Sequence, residues 1–236
     1  MGAAVGAFRV LPAAIMAWPN QRLHVLDFEG SLASGVLEYG IVAWQSGRIL
    51  QAWTRRCRPT GTIRAQDAAV HGLEASALQE LPGLAEDFPL FAGLRQEGPL
   101  VAHFASAENT LIKSVWPYPR HSPDFLHGGT VLDWGPWVDT GRLFPQLFTG
   151  LASARLEDLI ATFGLQSELD EVARQHCPTD RCRYHAALYD ALACALLLTR
   201  LAREPAFATQ SLQWLLERST LDPARRADFT QGDLFG

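Results

Sequence analysis

Residues 23–29 read Leu23-His24-Val25-Leu26-Asp27-Phe28-Glu29, a short apolar run that ends in two acids spaced i, i+2. Side chains two apart on a β-strand project from the same face, so this stretch predicts a strand carrying two carboxylates side by side. Like charges held together in an apolar setting are costly and raise a pKa unless a cation compensates. The pair therefore invites a metal ion, the alternative being an exposed strand end with solvated acids.

Outward from this run, residues 36–44 and 49–57 are apolar stretches joined by a turn containing Gly47, which predicts three antiparallel strands. Residues 65–79 are Ala-rich and broken at His71-Gly72, and residues 83–96 carry apolar side chains at 84, 88, 91 and 94, the spacing of a helix. Residues 99–103 read as a buried strand and 106–115 as a helix capped by Ser106. Residues 116–136 are rich in Pro, Gly, His and aromatics and predict a long irregular segment with a short strand around 130–133. Helices are expected at 140–148, 154–163, 167–176, 184–201 and 205–218. Strands first, then a βα unit, then helices describe a mixed-sheet α/β domain.

The bulk numbers agree with one domain. The chain has 236 residues, 48% of them hydrophobic, enough for a single well-buried core; we place the domain at residues 22–218, with an N-terminal extension at 1–21 and a polar, flexible tail at 219–236. A formal charge of −5 argues against coating duplex by bulk electrostatics but leaves room for a local basic groove. All but one of the 20 Lys and Arg residues are Arg, the exception being Lys113. Cysteines 57, 177, 182 and 194 form no regular framework, which reads as a reduced, cytoplasmic protein, and His176, Cys177, Cys182 and His185 lack the intervals of a zinc site. The first twenty residues lack a basic n-region, and no segment reads as a membrane span.

Two further acids stand on predicted helices. Glu108 lies one turn into the helix that follows residues 101–104, and Asp190 follows His185 by five residues beside an apolar stripe of Ala187, Ala191, Cys194 and Leu198. Singly, each acid reads equally as a helix surface charge, and His185, in the first turn, as a capping, core or general-base histidine.

Four segments stand in a telling order: Val25-Leu26-Asp27-Phe28-Glu29, Val70-His71-Gly72-Leu73, Val101-Ala102-His103 with Glu108, and His185-Ala186-Ala187-Leu188-Tyr189-Asp190-Ala191. Together they resemble the DEDDh 3′-to-5′ exonucleases of the ribonuclease H-like fold, relatives of bacterial polymerase proofreading subunits, over residues 22–200. The resemblance implies an α/β fold with a mixed β-sheet of about five strands flanked by helices. It implies that Asp27, Glu29, Glu108 and Asp190 hold two divalent ions, Mg²⁺ or Mn²⁺, while His185 activates the attacking water. It implies hydrolysis at the 3′ end of nucleic acid, with single-stranded DNA or 3′ overhangs favoured, in proofreading or repair. RNA 3′-end trimming, DNA-end trimming for integration, and a catalytically weak end-binding module are the alternatives. Substrate contacts would fall to Phe28, Gly30, His71, Arg181 and Arg183.

The chain departs from the family pattern at Glu108, where Asp is usual, giving DEEDh. Phe104 and Ala107 replace a customary Asn and aromatic, and Gly30-Ser31 replaces Thr or Ser pairs. Arg55, Arg56 and Arg58 form a second basic cluster, and Trp116, Tyr118, Trp134 and Trp137 crowd the irregular segment, either to stack bases or to pack on the sheet. The terminal Gln231-Gly232-Asp233-Leu234-Phe235-Gly236 resembles the peptide with which bacterial proteins dock on the replication sliding clamp, with Gln231, Leu234 and Phe235 as its contacts.

Overall fold

The computed structural model describes residues 16–220 and Asp222; the clamp-like peptide at Gln231, Leu234 and Phe235 and the extension before residue 16 lie outside the described residues. Strands β1 (Leu23–Ser31), β2 (Gly35–Gln45) and β3 (Arg48–Arg56) form an antiparallel meander. Helices α1 (Ala65–His71), α2 (Ala75–Leu78) and α3 (Phe88–Glu97) lead to β4 (Leu100–Ala102) and α4 (Ser106–Val115). A small ribbon of β5 (Ser122–Pro123) and β6 (Thr130–Val131) precedes β7 (Trp137–Asp139). Helices α5 (Thr140–Leu147), α6 (Leu156–Thr162), α7 (Gln166–His176), α8 (Ala187–Ala202), α9 (Pro205–Ala208) and α10 (Leu212–Glu217) complete the described α-helices.

The main sheet has five strands in the order β3-β2-β1-β4-β7, with β4 parallel to both β1 and β7. The expected mixed five-stranded sheet flanked by helices is therefore present. Strand β7 was not expected: three residues after a Pro-rich loop give too short a period to read. The predicted helix at 205–218 is two short helices, divided where Ser211 caps α10 by accepting from the Trp214 amide.

Period-two alternation sorts β1 between two cores. Leu23 and Val25 join the cluster built around α8, whereas Leu26 and Phe28 join Phe91, Leu94, Leu111 and Ile112 of α3 and α4 on the opposite face. Asp27 and Glu29 continue the α8 face. In register, Asp27 stands opposite Gly40, and a Cβ at Gly40 would lie 2.2 Å from the Ala187 carbonyl oxygen. The absent side chain lets the start of α8 rest directly on β2, and this brings Asp190, one turn later, over Asp27.

Residues 16–21, assigned to the extension by the sequence, belong to the folded domain. Trp18 is fully buried, stacks on Trp44 at 5.4 Å and donates from its indole N–H to the Phe207 carbonyl. The irregular segment is ordered by a buried arginine. Arg95 donates to the carbonyls of Pro123, Trp134 and Gly135, which satisfies a guanidinium that would otherwise be costly to bury. Trp134 is fully buried, and Trp116 packs against Phe91 and Trp134. Of the four aromatics there, Tyr118 is the exposed one, at 60%.

Candidate active site

Four carboxylates gather close enough for Asp190, Glu29 and Glu108 all to repel Asp27. Asp27 and Glu29 come from the strand itself, Glu108 from the first turn of α4 and Asp190 from the first turn of α8. Burial raises the Asp27 carboxyl well above its usual range, and Asp190, Glu29 and Glu108 add repulsion. Burial pushes Glu29 and Glu108 up to about 8, and Asp190 up to about 7, restrained by the hydrogen bond it accepts from the His185 amide. Glu108 Oε2 and Asp190 Oδ1 are buried with no hydrogen-bond partner. A buried carboxylate oxygen without a donor is expensive, and hard oxygen donors of this kind suit Mg²⁺ or Mn²⁺. Ligand atoms of Glu29, His185 and Asp190 lie within 4.8 Å of one another. The residues present thus fit a divalent cation.

His185 is not in the first turn of α8, as its sequence position suggests, but precedes the helix at φ 60°. Left-handed backbone costs a non-glycine residue about 1–3 kcal/mol and persists only where the surroundings enforce it. Here the His185 amide donates to Asp190 Oδ2 at 3.0 Å and its carbonyl accepts from Arg181 Nη2 at 3.1 Å. The exposed imidazole is thereby turned toward the acids.

Helix α4 is anchored differently from the expected Ser106 cap. Ser106 is the first helical residue and makes no side-chain cap. Instead Asp139 accepts from the amides of Phe104, Ala105 and Arg142, so one carboxylate fixes the entry to the helix that carries Glu108 and caps α5. Phe104 sits at φ 61°, and its ring lies so close to Gly141 that a Cβ there would meet it at 2.7 Å. His103 bolts the same corner, bonding to Thr140 Oγ1 at 2.9 Å and the Ala154 carbonyl at 2.8 Å. Burial lowers its pKa to about 4, so it is neutral.

The expected substrate residues separate. Phe28 is a core residue, packed on Phe91 at 5.7 Å on the far face of the sheet from Asp27 and Glu29; alternation along the strand forbids its side chain from sharing their side. Arg181 is 4% exposed and Glu38 2%; the two are paired, so the guanidinium is committed inside the protein. Gly30, at φ 134°, sits at a register break of the β1–β2 hairpin, and a Cβ would lie 2.2 Å from the Gly35 carbonyl. His71 is buried. Its Nδ1 accepts from the Leu73 amide at 3.0 Å, which leaves the proton on Nε2, and Nε2 has no partner. Arg183 is exposed and reaches the His71 carbonyl at 3.3 Å. In the second basic cluster, Arg55 pairs with Asp87 and Arg56 with Asp180. Sequence reasoning missed Glu38 and the anchoring role of Asp139; a lone acid inside the apolar run 36–44 was the available signal for the first.

Neither a family model nor a curated protein sequence matches the chain. Solved structures do match. Exonuclease X in complex with 5′ overhanging duplex DNA is similar at 21% identity and TM-score 0.59, covering 84% of this chain and 99% of that one. The nuclease domain of 3′hExo, a DEDDh family member bound to rAMP, is similar at 11% identity and TM-score 0.57, covering 80% and 95%. E. coli Exonuclease I in complex with a dT13 oligonucleotide is similar at 10% identity and TM-score 0.56, covering 78% of this chain and 41% of that longer one. The chain has the ribonuclease H-like fold of these exonucleases. No described helix is long and apolar enough to cross a membrane.

Proposed function

We propose that this chain is a metal-dependent DEDDh-type exonuclease, in its DEEDh form, that hydrolyses phosphodiester bonds at the 3′ end of nucleic acid, with single-stranded DNA or 3′ overhangs as substrate. The observation that carries the reading is the grouping of Glu29, His185 and Asp190 within 4.8 Å, with Asp27 repelled by Glu29, Asp190 and Glu108 and with buried unpartnered oxygens on Glu108 and Asp190. The four acids would hold the divalent ions, two by the family pattern, and such cations would neutralise the acids and polarise the phosphate. His185 would accept the proton of the attacking water, the task of a histidine general base. Arg183, exposed beside the His71 turn, offers its guanidinium to a phosphate of the incoming strand. His71 Nε2, which no described group satisfies, offers a donor, and the Gly30 backbone would approach the terminal sugar. The tail peptide at Gln231, Leu234 and Phe235 would tether the enzyme to a sliding clamp, which fits a cytoplasmic role in DNA repair or proofreading.

The test is degradation of 3′- and 5′-labelled single-stranded DNA and RNA oligonucleotides with Mg²⁺, Mn²⁺ or chelator. The expected result is metal-dependent shortening from the 3′ end, releasing nucleoside monophosphates, faster on DNA. A folded protein that cleaves neither polymer with either metal contradicts the reading, and faster shortening of RNA moves the substrate to RNA ends.

A further inference from the structure

Arg181 and Glu38 are both buried, and their bonds converge on the two segments that frame the acid cluster. Arg181 Nε meets Glu38 Oε1 at 3.1 Å and Nη2 meets Oε2 at 2.5 Å, a two-point fork. The remaining contacts of the guanidinium go to backbone: Nη1 donates to the His71 carbonyl at 2.6 Å and Nη2 to the His185 carbonyl at 3.1 Å. On the other side of the pair, Glu38 Oε2 accepts from the Ala187 amide at 3.0 Å. Ala187 is the first residue of α8, and the helix has no side-chain cap of its own. A carboxylate at that end satisfies an orphan amide and matches the positive end of the helix dipole. Arg56 closes the pair from the rim, 3.6 Å from Glu38 Oε1.

The pair therefore grips the chain on the C-terminal side of His185, through its carbonyl and the Ala187 amide, while Asp190 holds the His185 amide on the other side. His185 is the non-glycine residue in this stretch with left-handed backbone, a conformation that relaxes unless its flanks are fixed. A stability role alone does not require this arrangement, because a buried ion pair is generally no more stabilising than well-packed apolar side chains of similar volume.

We infer that Glu38 and Arg181 are positioning residues, a buried brace that holds the His185 backbone in its left-handed turn and so aims the imidazole at the Glu29–Asp190 end of the site. The inference rests on the proposed general-base role of His185. It gives Arg181 no contact with the substrate.

Because removing one partner strands a buried charge, the informative variant is the apolar pair Glu38→Met/Arg181→Met, compared with wild type, His185→Asn and the triple variant. The readouts are thermal unfolding, kcat and KM on 3′-labelled oligonucleotide, and amide hydrogen exchange. The Met pair is expected to stay folded with a lowered unfolding temperature, because the His71 and His185 carbonyls and the Ala187 amide lose their partners, yet to lose about 10²-fold in kcat, the cost of a misplaced reacting group, with KM within about twofold. In the His185→Asn background the same pair should cost less than about threefold, because residues acting through one another are not additive. Exchange at the His185 and Ala187 amides should accelerate. A Met pair with wild-type kcat, a full 10²-fold loss that persists without His185, or a raised KM at unchanged kcat overturns the brace. If wild type itself does not cleave, the proposed function fails on that result, and unchanged protection of the two amides separately overturns the brace.

Discussion

Replacing Asp27 by Asn is expected to abolish cleavage while making the metal-free protein more stable. Asp27 sits where repulsion from Asp190, Glu29 and Glu108 meets, so the isosteric amide removes both the central ligand and the focus of the repulsion. Activity should fall by at least about 10³-fold, roughly 4 kcal/mol of transition-state stabilisation. The stability effect depends on pH with a definite sign. The folded pKa values, about 7 for Asp190 and about 8 for Glu29 and Glu108, lie above the unfolded carboxylate values of about 4. The folded metal-free protein therefore binds more protons than the unfolded chain, and its stability is full below about pH 4 and declines as pH rises through about 8. Asp27→Asn should flatten that decline and raise the metal-free unfolding temperature at pH 8 by several degrees, each kcal/mol being worth about 2–4 °C in a domain of this size. Mn²⁺ should raise the wild-type temperature and leave that of the variant nearly unmoved. Melting curves from pH 5 to pH 8.5, with and without Mn²⁺, read all three effects.

His185→Asn should separate the chemistry from the fold. Asparagine tolerates the left-handed backbone observed at His185 better than most residues, so the unfolding temperature should not drop. It cannot take a proton from water near neutral pH, so kcat should fall by about 10²–10⁴-fold while Mn²⁺ still binds the carboxylates. Steady-state kinetics beside a melting curve decides it: a variant that keeps more than about a tenth of the wild-type kcat removes His185 from the base role.

The acid pair was legible because a strand writes its faces into the sequence with period two, and Asp27 and Glu29 end an apolar run. Glu108 and Asp190, singly no different from helix surface charges, were legible only through the resemblance of the four ordered segments to the exonuclease family. What escaped the sequence depended on partners far along the chain. Glu38 and Arg181 are 143 positions apart, so a basic residue four before His185 read as a phosphate contact when its charge is consumed by an acid on β2. The sequence also extended α8 back to Tyr184, because Tyr184-His185-Ala186 carries no helix breaker; the left-handed turn at His185 is imposed by Asp190 and Arg181, not by local preference. Phe28 was singled out because it lies between two acids, and alternation turns its side chain to the opposite face of the sheet. Asp139 anchors two helices through three backbone amides, a role that no spacing in the sequence displays.

The central claim is that Asp27, Glu29, Glu108 and Asp190 form one cation site, and calorimetric titration of Mn²⁺ into the protein near pH 7.5, in two buffers of different ionisation enthalpy, tests it most directly. Because the carboxyls are partly protonated there, binding should release protons, so the observed heat should differ between the buffers, and Asp27→Asn should lose both the binding and the proton release. Binding of equal strength in wild type and Asp27→Asn, or no binding by the folded wild-type protein, would contradict the account.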